Sequence, residues 1–253
     1  MKRVHFTHKY LLSPTHPITV NLIGCGGTGS MVLSCLGRID CSLRALGHPG
    51  LHVTAFDHDE VSEANIGRQL FSVSDEGLNK ADVLITRMNR FFASDWKAVP
   101  ERFYDLYSYA NITISCVDNI KSRIEIGEIL RSDVNQYDDR EKLYWLDFGN
   151  STDRGQVVLG TVQEMKQPKS EKYETVSRLR CVDEMFDLSQ LNDEDSGPSC
   201  SLAEALGKQD LFINSTLAQH GSHLLWRLFT DAYIECQGLY LNLNTINVNP
   251  IKL

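Results

Sequence analysis

Four glycines in six positions, Gly24, Gly26, Gly27 and Gly29 in "GCGGTG", strip side chains from a turn that follows the apolar run "ITVNLI". A turn of this kind lets a phosphate approach the backbone closely, and it also satisfies the dinucleotide pattern G-x-G-x-x-G. Asp57 closes a second apolar run, "LHVTAF", where a carboxylate can accept ribose hydroxyls as it does in nicotinamide-dependent enzymes. To this point a dinucleotide and a triphosphate fit equally well.

The residues after Asp57 separate them. "DHDEVSEANIGRQLF" gathers Asp57, Asp59, Asn65, Arg68 and Gln69, and "GLNK" adds Lys80. A nicotinamide dinucleotide carries roughly two backbone phosphate charges, which N–H groups at a helix terminus can satisfy. A nucleoside triphosphate carries about four and calls for side-chain cations or a metal as well. Arg68 and Lys80 meet that demand. Asp118, next to Asn119 in "CVDN", ends a third apolar run and is placed to hold magnesium through the phosphates. Hydride transfer needs none of this set.

These groups must be positioned by a repeating framework. "PITVNLIGCGG" reads as a strand entering a phosphate-type turn, and "SMVLSCLGRI" as the helix that follows, ended by "LGHPG". "LHVTAF" and "NITISCV" are further strands. "SDEGLNKADVLITRMNRFF" is a helix with Leu84, Met88 and Phe91 or Phe92 at helical spacing, and "NIKSRIEIGEILRSDV" is another. Later strands fall in "KLYWLDFGN" and "RGQVVLGTV". Alternating strands and helices predict a Rossmann-like, doubly wound α/β fold with a mostly parallel sheet and ligands at the carboxyl ends of its strands. Residues 18–162 form the expected nucleotide-binding core of a single domain spanning 1–253. Residues 163–198 are charged and weakly periodic, and read as a long crossover loop, mobile until a partner docks. Residues 199–253 return to helices and a short C-terminal hairpin in "LYLNLNTINVNPI".

Composition narrows the setting. The chain has 253 residues, 42% of them hydrophobic, enough for a substantial core. A net charge of -8 argues against broad nucleic-acid binding, which rests on Lys and Arg. No apolar stretch reaches bilayer length, and the N-terminus has no secretory core, so no membrane role is expected. Seven scattered cysteines without a C-x-x-C pair read as reduced thiols of a cytoplasmic protein.

The order of G-C-G-G-T-G, D-x-D-x-V-x-x-x-N-x-x-R-Q, the lysine of "GLNKAD" and D-N-x-x-x-R (Asp118, Asn119, Arg123) resembles the ThiF/MoeB/HesA superfamily of adenylyltransferases. The length and the ending "PSCSLAEALGKQDLFINSTLAQHGSHLLWRLF" are most similar to the ThiF-family protein of the PRTRC gene system. The resemblance implies that ATP and Mg2+ are used to adenylate the C-terminal carboxylate of a small ubiquitin-like (β-grasp) carrier protein. By motif, Asp57 would bind the ribose, Asn65, Arg68 and Lys80 would hold the triphosphate, and Asp118 would organise magnesium. A non-catalytic nucleotide-binding scaffold and an NAD(P)-dependent enzyme are the alternatives.

The chain also departs from its relatives. Many carry a structural zinc in two C-x-x-C pairs; neither pair is present, so no structural zinc is expected. Relatives present an N-terminal arginine to the partner subunit's ATP site, and here Arg3 and Lys9 are the candidates. Cys200, just before a predicted helix, stands where some relatives form an acyl-sulfur link; a helix N-terminus could lower its pKa. Cys25 is expected to supply only its backbone. His52, His58, His220 and His223 show no ligand spacing. The apolar stripe Leu217, Leu224, Leu225 and Leu228, with Trp226 and Phe229, exceeds one core-facing side and predicts a homodimer contact.

Overall fold

The computed structural model describes residues 1–104, 109–132, 142–188 and 202–253. The chain opens with β1 (Lys2–Phe6) and the one-turn helix α1 (Lys9–Leu12). The core then runs β2 (Ile18–Ile23), α2 (Gly27–Ala45), β3 (Leu51–Phe56), α3 (Lys80–Phe92), β4 (Lys97–Val99), β5 (Ile112–Ser115), α4 (Ile120–Arg131), β6 (Tyr144–Asn150) and β7 (Arg154–Thr161). After it come β8 (Tyr173–Thr175), α5 (Val182–Met185), α6 (Leu202–Lys208), α7 (Ile213–Thr230), β9 (Tyr233–Ile234), β10 (Cys236–Asn242) and β11 (Asn247–Lys252).

Eight strands form the main sheet in the order β11-β10-β7-β6-β5-β2-β3-β4. The five from β6 to β4 are parallel, and β7, β10 and β11 continue antiparallel. Parallel strands covered on both faces need continuous apolar residues, and the register supplies them. Val20 pairs with Val53 and Ile112, and Leu22 with Ala55 and Ile114, all buried. The chain leaves β2 for β3 on one side and returns to β5 on the other. That reversal opens a crevice above the carboxyl ends of β2, β3 and β5. Gly24, Asp57 and Asp118 follow those three strands, as the sequence predicts.

Several expectations change. The N-terminus forms a strand that the sequence reading did not assign: β1 pairs with β8 and β9 in a separate three-stranded sheet. Its His5 is fully buried, with Nδ1 bonded to the Val176 carbonyl at 2.7 Å and Nε2 to the Tyr144 hydroxyl at 3.0 Å. Arg3 pairs with Glu174 on β8, and Lys9 is exposed on α1. The expected crossover loop is docked over residues 163–188. Met165, Leu179, Cys181 and Val182 are buried, and Arg131 on α4 grips Asp183 through two bonds of 2.7 Å. A few apolar anchors and paired charges order a segment whose average composition reads as loop. The rest of that loop, with Cys200, lies outside the described residues.

Helix α7 also departs from the expectation. It packs against α2 and against the sheet at β6 and β7, and touches α1, β9 and β10. Leu217, Leu224, Leu225, Leu228 and Phe229 are buried within the chain, and Trp226 packs partly buried against the same core. The apparent surplus of apolar residues is consumed by two internal faces, so the homodimer expectation rests on the resemblance alone. On α3, Phe92 turns inward against Gly37 while Phe91 is exposed.

Candidate active site

The glycine turn is built by close approach. Gly24 adopts φ +88°, and a Cβ there would stand 2.7 Å from the Cys116 carbonyl oxygen. A Cβ on Gly29 would stand 1.8 Å from the Gly24 carbonyl oxygen, so neither position tolerates a side chain. Gly26 differs: the nearest atom to its missing Cβ is Gln69 Oε1 at 3.9 Å. That bare edge faces a cavity of about 890 Å³. No side chain caps α2, whose first residues Gly27 and Thr28 line the same cavity. An uncapped helix N-terminus behind a bare turn suits an anion.

Asp57 ties this turn to the next strand. Its Oδ2 accepts the Cys25 N–H at 2.6 Å and its Oδ1 accepts the Asp59 N–H at 2.9 Å. Burial pushes the carboxyl's pKa up, against those two bonds and the nearby Lys80 charge. The sequence assigns Asp57 to the ribose; the geometry adds a role in holding the phosphate turn. Cys25 is buried and its thiol pKa lies well above the ordinary value through desolvation, which leaves it a poor nucleophile.

The two expected cations stand in different surroundings. Lys80, buried at the start of α3, bonds Asp59 Oδ2 through Nζ at 2.9 Å. Burial pushes the Asp59 pKa up, but the Lys80 ammonium outweighs it and holds the carboxyl below its ordinary value. Arg68 donates from Nη1 to Gln209 Oε1 at 2.6 Å, while its Nε is buried without a partner among the described residues. Burial lowers its pKa, yet a guanidinium stays charged. Gln69, 6% exposed, carries an Oε1 that also lacks a partner among the described residues. Asn65 caps its own turn by accepting from Ser62.

Asp118 is exposed on the cavity wall beside Asn119, which donates to it at 3.1 Å and caps α4 by accepting the Ser122 N–H. The loop beneath is held by Arg123. Its guanidinium bonds Asp147 on β6 and the carbonyls of Val117 and Phe148. Asp147 in turn accepts from the Ser115 hydroxyl at 2.6 Å. Arg123 therefore fixes the loop that presents Asp118 and does not itself face the cavity.

All the predicted binding residues among the described ones except Gly29 line this one cavity: Gly24, Gly26, Gly27, Asp57, Asp59, Asn65, Arg68, Gln69, Lys80, Asp118 and Asn119. Gly29 shapes the turn from behind. The sequence reading missed Asn150, Gln209 and Asn214, which form a stretch of the same wall beside the glycine turn and Arg68, and Asp147, which is bonded to Arg123. It also dismissed His58, which lines the cavity with Nε2 3.5 Å from Asp59 Oδ1. Asn214, an amide between Ile213 and Leu217 on the apolar stripe of α7, is the local signal that could have drawn attention to that wall.

The sequence profile of the ThiF family matches residues 15–251. The chain belongs to the ThiF family. The match is at the level of the family and does not reach the PRTRC subfamily. No curated protein sequence matches. Among solved structures, this ThiF-family chain is similar to MccB of E. coli, with a TM-score of 0.59 and 15% identity over 96% of this chain and 63% of that one. The MccB + ATP structure has a TM-score of 0.57 at 15% identity, covering 96% and 64%. PaaA has a TM-score of 0.56 at 14% identity, covering 93% and 64%. The chain thus spans less than two thirds of the length of these neighbours, and the likeness is one of fold.

Proposed function

We propose that this chain is an ATP-dependent adenylyltransferase that activates the C-terminal carboxylate of a small protein or peptide, a ubiquitin-like carrier being the expected class. The observation that carries the reading is the convergence of two cations, Arg68 and Lys80, on one cavity with the bare Gly26 edge and the uncapped start of α2. Two positive side chains, a turn without side chains and free helix N–H groups match the charge and oxygens of a triphosphate. ThiF-family membership and the likeness to MccB, which has been crystallised with ATP and with MccA, support the same reading.

The reaction joins the substrate carboxylate to the α-phosphate of ATP and breaks the α–β phosphoanhydride bond, the electron pair leaving with pyrophosphate. The chain's part is positioning and charge. The N–H groups of the glycine turn and α2 would receive phosphate oxygens, Asp57 would accept the ribose hydroxyls, and Asp59 holds Lys80 in place. Arg68 and Lys80, with Asn65 and Gln69, oppose charge that builds toward the leaving pyrophosphate, where preorganised donors act most strongly. Asp118, exposed on the cavity wall, would hold Mg2+ against the phosphates.

ATP–pyrophosphate exchange with candidate small proteins and peptides tests this. Exchange should require ATP, Mg2+ and a free C-terminal carboxylate on the partner. Nucleotide binding with no exchange from any such partner would leave a scaffold and overturn the catalytic reading.

A further inference from the structure

We infer that Gln209 is a positioning residue: with Asn214 and Asn150 behind it, its amide holds the Arg68 guanidinium aimed at the phosphates without neutralising it. This rests on the triphosphate reading of the site.

The relay is continuous. Arg68 Nη1 donates to Gln209 Oε1 at 2.6 Å, and Asn214 Nδ2 donates to the same oxygen at 2.9 Å. Asn214 is fixed in turn, its Oδ1 accepting from Thr28 Oγ1 and from Asn150 Nδ2, each at 2.8 Å. The Asn214 amide also packs on the phosphate turn, for a Cβ on Gly27 would stand 2.7 Å from its Nδ2. The junction that carries Gln209 is pinned where the Asp210 N–H donates to the Thr152 carbonyl at 2.7 Å. Two secondary-structure elements, the first turn of α2 and the end of β6, thereby fix one amide oxygen.

The chemical identity of that oxygen matters. Lys80 faces Asp59 and Arg123 faces Asp147, so each spends part of its field on a carboxylate. Among the described residues no carboxylate pairs with Arg68. A neutral acceptor removes the rotational freedom of a long side chain in advance, yet leaves its full charge for the ligand. A carboxylate at 209 would restrain Arg68 equally and cancel it.

Calorimetric binding of ATP and of adenosine, both with Mg2+, to the wild type, Gln209→Met, Arg68→Ala and the double variant tests this. Gln209→Met should weaken ATP roughly three- to tenfold, leave adenosine unchanged, and add less than about twofold in the Arg68→Ala background. Gln209→Glu, which keeps the acceptor and the volume, provides a second variant should Gln209→Met fold poorly, and should weaken ATP further than tenfold. Wild-type ATP affinity in both variants, an equal loss for adenosine, or a loss that persists without Arg68 would overturn the inference. A wild type that binds adenosine but gains nothing from the phosphates would instead overturn the triphosphate reading itself.

Discussion

Arg68 and Lys80 carry the same charge but stand in different surroundings. Lys80 is buried against Asp59 and helps join the β3 loop to α3, so its removal should cost stability as well as binding. Arg68 lines the cavity and, among the described residues, bonds only the uncharged Gln209, so its removal should cost chemistry while sparing the fold. Arg68→Ala should lower ATP–pyrophosphate exchange at least about a hundredfold, on the ~3 kcal/mol scale of losing one preorganised donor to a developing charge. Near-normal exchange in a folded Arg68→Ala protein would remove it from the mechanism. Gly29→Ala tests the turn itself. A Cβ 1.8 Å from a carbonyl oxygen forces the backbone apart, so ATP binding should be lost and the melting temperature should fall. A Gly29→Ala protein with wild-type melting and affinity would contradict the close packing of the turn.

At the scale of elements, β1 and the docked crossover share a buried histidine. The Val176 carbonyl can only accept, so His5 Nδ1 carries the proton; Nε2 then accepts from the Tyr144 hydroxyl, which accepts the His8 N–H. Burial lowers the His5 pKa below the ordinary 6.5. The unfolded chain therefore binds the proton more readily than the folded one. The stabilisation is complete above about pH 6.5 and is lost as pH falls from there through the lower folded value. Melting temperature should drop over that window, with hydrogen exchange in residues 163–188 rising alongside, and His5→Gln should flatten the pH dependence. A wild-type profile no steeper than that of His5→Gln would refute the assignment. The same pair of elements marks the limit of the sequence reading. The strands β2, β3 and β5 were legible because each is a short segment rich in β-branched and apolar residues that leads directly into a chemistry-bearing turn. β1 was not, since "KRVHF" looks polar until Val176 and Tyr144 arrive from far along the chain. Gln209 escaped for the same reason, its bond to Arg68 spanning 141 residues. Helix α7 misled because an element buried on two faces has the composition of one with a face to spare.

At the scale of the whole molecule, one sheet carries a crevice where the chain reverses, and every group assigned to the triphosphate converges there from separate loops. No helix among the described residues is long and apolar enough to cross a membrane. The central claim is that this crevice is built for a triphosphate and not for a dinucleotide, since two cations and an uncapped helix terminus exceed what two phosphates need. Titration calorimetry with ATP–Mg2+ and with NAD on the purified full chain tests it most directly. The account predicts clear ATP–Mg2+ binding that weakens in Arg68→Ala, with NAD much weaker or undetectable; NAD binding as tightly as ATP, or more tightly, would contradict it.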